Sequence, residues 1–229
     1  MEIPLYLAMT AGEFSAGTPL PPNIAWMACH FSSSGEGLSN IPSRLPARSL
    51  LILDDSIPIA NHRAEIVAEQ LSRAVETLKP DGILLDFQRP EIARTEALVT
   101  EILSAIPCPV GVSHHYAKKL SCPIFLPPLP AHQTPEDYLS PYAGREVWLE
   151  VAPVWETVTV TESGSRYCPA DPLPPGPHRD EALYCHYGAR VLEDKIIFSL
   201  CRTREDIEKM LGCKNPGLTR AIGLYQELG

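Results

Sequence analysis

Leu78-Lys79-Pro80-Asp81-Gly82-Ile83-Leu84-Leu85-Asp86-Phe87-Gln88 joins the end of a helical pattern to a complete strand pattern. Upstream of it, Ala64, Val67, Ala68, Leu71, Ala74, Val75 and Leu78 recur at the spacing of one helix face, which predicts a helix over 63–78. Lys79-Pro80 stops that helix, because proline has no amide proton and disfavours helical geometry at the residue before it. Residues 82–87 are a short apolar run of strand length, interrupted only by Asp86. A strand buried on both faces and fed by a helix is the repeating unit of a parallel sheet.

The same rhythm extends in both directions. Apolar strand patterns are expected at 5–9, 24–31, 50–53, 110–112, 124–126, 147–151, 196–200 and 221–225. Between them, Pro90 opens a helix over 92–106, and Thr134-Pro135-Glu136-Asp137 and Thr203-Arg204-Glu205-Asp206 are capped helix starts. The segment 156–190 breaks the pattern. Its alternating 157–161 and Pro-rich 171–178 predict a β-hairpin with a Pro-rich loop, inserted into a single domain spanning 1–229. About eight strands with intervening helices in 229 residues indicate an α/β fold, a (β/α)8 TIM-type barrel with some helices missing. The alternative is an open doubly wound sheet, but no G-x-G-x-x-G or G-x-x-x-x-G-K-[ST] loop supports a nucleotide site.

The bulk composition narrows the partners. A formal charge of −9 disfavours nucleic acid and anionic membranes. No stretch approaches the ~20 apolar residues of a membrane span, and Met1 to Thr10 lacks the basic and apolar regions of a signal peptide. The seven cysteines are widely spaced with no C-x-x-C pair, which points to free thiols in the cytoplasm; Cys168 and Cys185, flanking the Pro-rich loop, are the one pair to watch for a disulfide. The sequence implies no metal and no cofactor, and it leaves the oligomeric state open.

Barrel enzymes place their chemistry at the carboxyl ends of the strands. The polar residues expected there are Thr10, His30, Asp54, Asp55, Asp86, Gln88, His114, His115, Glu150, Gln226 and Glu227. Strand alternation puts Leu84, Asp86 and Gln88 on one face, and Glu150 on a face with Trp148. Asp86 either braces a loop or belongs to a site, since a buried carboxylate needs a partner. Glu150 is either a surface residue or the second carboxyl of a pair with Asp86. Glu91 reads as a first-turn helix acid. Only one of His114 and His115 can face inward. A metal set of His114, Asp86 and Glu150 has no paired spacing behind it. Trp26 and Trp148 read as core residues, whereas Trp155 remains free to stack on a sugar ring.

The run from Leu78 to Gln88 resembles the fourth strand of family 18 glycoside hydrolases, the chitinase and endo-N-acetylglucosaminidase group, whose motif is D-G-x-D-x-D-x-E. Asp81 and Gly82 match its opening pair and Asp86 its last aspartate, while Leu84 replaces the first inner aspartate and Gln88 the glutamate. The likeness covers residues 50–106. It implies a barrel in which Asp86 orients a substrate acetamide and the residue at 88 is the general acid. A glutamine has no titratable proton to give, and general acid catalysis is worth about 10²–10⁴-fold. Three readings follow. The first is a catalytically impaired glycoside-hydrolase-like barrel that binds a carbohydrate, with Gln88, His114 and Asp54 as substrate-binding groups. The second is an active hydrolase with a rebuilt carboxylate pair, Asp86 with Glu150. The third is a non-catalytic structural or protein-interaction barrel.

Overall fold

The computed structural model describes residues 3–15, 20–33, 37–46, 48–57, 63–89, 92–117 and 120–228. Pro90 and Glu91 lie outside them. Its strands and helices run β1 (Leu5–Met9), α1 (Ala11–Ser15), β2 (Ile24–Phe31), β3 (Leu38–Ser39), β4 (Ser49–Asp54), α2 (Ala64–Leu78), β5 (Gly82–Asp86), α3 (Ile92–Ala105), β6 (Val110–Ser113), α4 (His114–Ala117), β7 (Ile124–Leu126), α5 (Pro135–Leu139) and β8 (Val147–Glu150). Then follow β9 (Val154–Thr161), β10 (Gly164–Pro169), β11 (His178–Asp180), β12 (Cys185–Val191), β13 (Lys195–Arg202), α6 (Arg204–Gly212), β14 (Leu218–Leu224) and α7 (Tyr225–Leu228).

Eight parallel strands close on themselves in the order β1-β2-β4-β5-β6-β7-β8-β14, with β14 pairing back to β1. This is the expected (β/α)8 TIM-type barrel. The expected loss of helices is visible between β2 and β4, where the described residues contain only the two-residue β3. The helix before the decisive strand ends as its sequence dictates: Lys79 turns left-handed at φ 49° and its N–H caps the Val75 carbonyl.

Two apolar layers follow from strand alternation. Leu51, Leu53, Ile83, Leu85, Val110 and Val112 point outward and pack with Val67, Leu71, Leu98 and Ile102 of the helices. Tyr6, Ala8, Ala25, Leu50, Ile52, Leu84, Phe125, Trp148 and Ile222 point inward and fill the lumen. Trp148 is fully buried there, and Trp26 is buried in the outer layer, so both are core residues as expected. Gly111 is small because a Cβ at that position would come within 2.3 Å of the Trp148 ring.

The segment expected as a hairpin over 156–190 is larger. Five antiparallel strands, in the order β10-β9-β13-β12-β11, form a separate sheet between β8 and α6. The run 196–200, expected among the barrel strands, belongs to this sheet as part of β13 and pairs with β9 and β12. Its apolar character is explained by a second small core of Ala131, Val158, Cys185 and Leu200, with Phe198 packed against it. Arg202 ties the sheet to the barrel. Its guanidinium is buried and donates to the carbonyls of Leu129, Pro130, Leu183 and Tyr184. Trp155 sits in the same sheet, where its Nε1 donates to the Leu173 carbonyl in the Pro-rich loop at 3.1 Å. All seven cysteines are free, including Cys168 and Cys185.

Candidate functional site

At the carboxyl ends of the barrel strands, a cavity of about 80 Å³ is floored by Ile52, Leu84, Phe125 and Ile222 and walled by Asp54, Asp86 and Glu150. The pattern that builds it is simple. Each carboxyl sits two residues beyond a lumen-filling side chain on the same strand face: Asp54 after Ile52, Asp86 after Leu84, Glu150 after Trp148. All three are half-buried, and no cationic side chain lines the cavity among the described residues.

Burial in an apolar pocket without a counter-charge favours the protonated form. The Glu150 carboxyl is pushed up to about 7, first by burial and then by the charges of Asp86 and Glu227. Asp86 is also raised, chiefly by burial, with Asp54 and Asp55 adding to it; hydrogen bonds from Gln88 and Ser113 act in the opposite direction. The Gln88 amide donates to Asp86 Oδ1 at 2.5 Å, and the Ser113 hydroxyl lies 3.4 Å from the same oxygen. Asp54 is held on its other side. Its Oδ2 is 2.9 Å from His30 Nδ1, and its Oδ1 accepts the Ser56 N–H at 2.9 Å.

The sequence candidates therefore separate. Asp54, Asp86 and Glu150 converge on one cavity. Gln88 stands exposed at its rim, joined to it through Asp86. His114 does not line it: His114 and His115 start α4 with their rings 3.8 Å apart. Asp55 is a bracing residue, buried, with Oδ2 accepting the backbone N–H groups of Gln88 and Arg89 at 3.0 and 2.7 Å. Ser113 was not a sequence candidate. Only its position on the lumen face of β6, two residues after Gly111, marks it.

Asp81, the first residue of the motif, lies at the opposite end of the barrel. Its carboxylate accepts from the Tyr6 hydroxyl at 2.9 Å, and its carbonyl accepts from Arg220 at 3.0 Å. Arg220 in turn lies over the Trp148 ring, 4.3 Å from its centre. Gly82 has no room for a side chain, since a Cβ would be 2.5 Å from the Arg220 guanidinium and 2.8 Å from the Pro109 carbonyl.

No family model and no curated protein sequence matches the chain. The structure is similar to the crystal structure of the Bacillus cereus spore cortex-lytic enzyme SleL, with a TM-score of 0.55 and 10% sequence identity over 100% of this chain and 72% of that one. At that identity the likeness is one of fold. No described helix is long and apolar enough to cross a membrane.

Proposed function

We propose that this chain is a glycoside-hydrolase-like barrel that binds a carbohydrate at the carboxyl mouth of its strands and lacks the usual family 18 acid. The observation that carries this reading is the Gln88–Asp86 contact at 2.5 Å. An amide occupies the place of the acid and donates a hydrogen bond to the matching aspartate, Asp86, while supplying no transferable proton. The fold shared with a lytic enzyme supports a carbohydrate ligand.

A second reading is favoured by Glu150. A carboxyl that titrates at about 7 and faces the same cavity as Asp86 is poised as a general acid near neutral pH. In this reading Glu150 protonates the leaving oxygen, and Asp86 acts as the second carboxyl of a hydrolase pair.

One experiment separates them. Wild type, Gln88→Glu and Glu150→Gln are screened against aryl N-acetylglucosaminides and other aryl glycosides, with glycan binding followed in parallel. The first reading expects no wild-type turnover, glycan binding, and activity gained in Gln88→Glu. Wild-type turnover abolished by Glu150→Gln establishes the second instead. Neither binding nor turnover in any form leaves a non-catalytic interaction barrel.

A further inference from the structure

His30 stands beside the cavity rather than in its lining, against Asp54, which walls it. Cys29 and Phe31 on either side of it belong to the outer core layer, so His30 stands on the lumen face of β2. It is registered against Asp54 of β4, which is registered against Asp86 of β5. Three consecutive strands thus place His30, Asp54 and Asp86 in one row across the mouth, and Ser113 of β6 extends it through its contact with Asp86.

The imidazole is oriented by its neighbours. Nδ1 faces Asp54 Oδ2 at 2.9 Å, and the Ser56 hydroxyl is more distant at 3.4 Å. A carboxylate accepts only, so the proton of the neutral ring belongs on Nδ1, and Nε2 is left with its lone pair. Among the described residues Nε2 has no hydrogen-bond partner, and the side chain is 28% exposed. Asp54 has both oxygens engaged, one by His30 and one by the Ser56 N–H, which fixes the dyad in one orientation.

We propose that His30 is a binding residue of the mouth, its tautomer set by Asp54 so that Nε2 accepts a hydrogen bond from a ligand hydroxyl. The ligand class is a polyol, and the assignment rests on the carbohydrate reading above. His30 supplies the fixed acceptor that Asp54, occupied on both oxygens, offers less freely. It takes the role that His114 was expected to fill.

The test uses the full chain labelled with ¹⁵N. Above neutral pH the His30 ring is expected as the Nδ1–H tautomer, and Asp54→Ala is expected to remove that preference. Binding of N-acetylglucosamine oligomers is then compared in wild type, His30→Ala and His30→Gln, each checked by its thermal unfolding. His30→Ala is expected to bind about tenfold more weakly, and His30→Gln to recover part of the loss, because its amide oxygen also accepts. An Nε2–H ring in wild type overturns the inference whatever binds. Equal binding by wild type and His30→Ala overturns it while the carbohydrate reading stands. An Nδ1–H ring with no glycan bound by wild type overturns the carbohydrate reading and takes the ligand assignment with it.

Discussion

Glu150 makes the stability of this barrel depend on pH in a direction opposite to that of most carboxylates. Its carboxyl is raised from the ordinary 4.5 to about 7 in the folded chain. The folded state therefore holds this proton more tightly than the unfolded state does. The associated stability is fully present below about pH 4.5 and is lost as pH rises through 7. At about 1.4 kcal/mol per pH unit, the displacement corresponds to roughly 3 kcal/mol. Water reaching the half-buried group screens part of this, which leaves about 2 kcal/mol. Glutamine has nearly the shape of the protonated acid and does not titrate. Glu150→Gln is thus expected to match wild type at pH 4.5 and to exceed it by about 2 kcal/mol at pH 8.5. Urea unfolding of both proteins across that range measures the difference, and taking the difference cancels the titrating groups that do not interact with Glu150. A gap that stays flat with pH, or one that favours wild type at high pH, would refute an unpaired carboxyl buried at the mouth.

The lumen beneath the site should be equally sensitive to volume. Gly111→Ala places a Cβ 2.3 Å from the Trp148 ring. The overpacked lumen is expected to cost about 1–3 kcal/mol, read as a lower Tm, and a Tm unchanged within error would show that Trp148 can move aside. Asp55→Ala removes the acceptor for two backbone N–H groups on the loop that carries Gln88. Hydrogen exchange at Gln88 and Arg89 is expected to accelerate, with about 1–2 kcal/mol of stability lost; unchanged protection there would remove Asp55 from its bracing role.

How much of this was legible in the sequence depends on whether the signal was local. The helix from Ala64 to Leu78 and the strand after it are written in spacing and in a stop signal, and the structure follows them closely. Asp54, Asp86 and Glu150 were legible for the same reason: on an unbroken strand, a polar residue two positions beyond a lumen residue shares its direction. Residues 196–200 have the apolar character of a barrel strand, but a strand's pattern does not name its partner. Only pairing with β9 and β12 places them in the antiparallel sheet.

His30 shows how a local pattern can also mislead. Strict alternation along β2 puts it on the face of Trp26, which is the outer face. The pairing of β2 with β4 shifts between Trp26 and Cys29, and that irregularity reverses the phase, turning His30 to the lumen side beside Asp54. Asp81-Gly82 misleads in the other direction. The pair opens a motif known for catalysis, yet here it sits at the far end of the barrel, bonded to Tyr6 and packed under Arg220 and Trp148. In this chain the pair serves the packing of that end of the barrel. The groups that the fold brings together at the carboxyl ends of the strands are instead the row His30, Asp54 and Asp86, with Glu150 on the same cavity as the two aspartates.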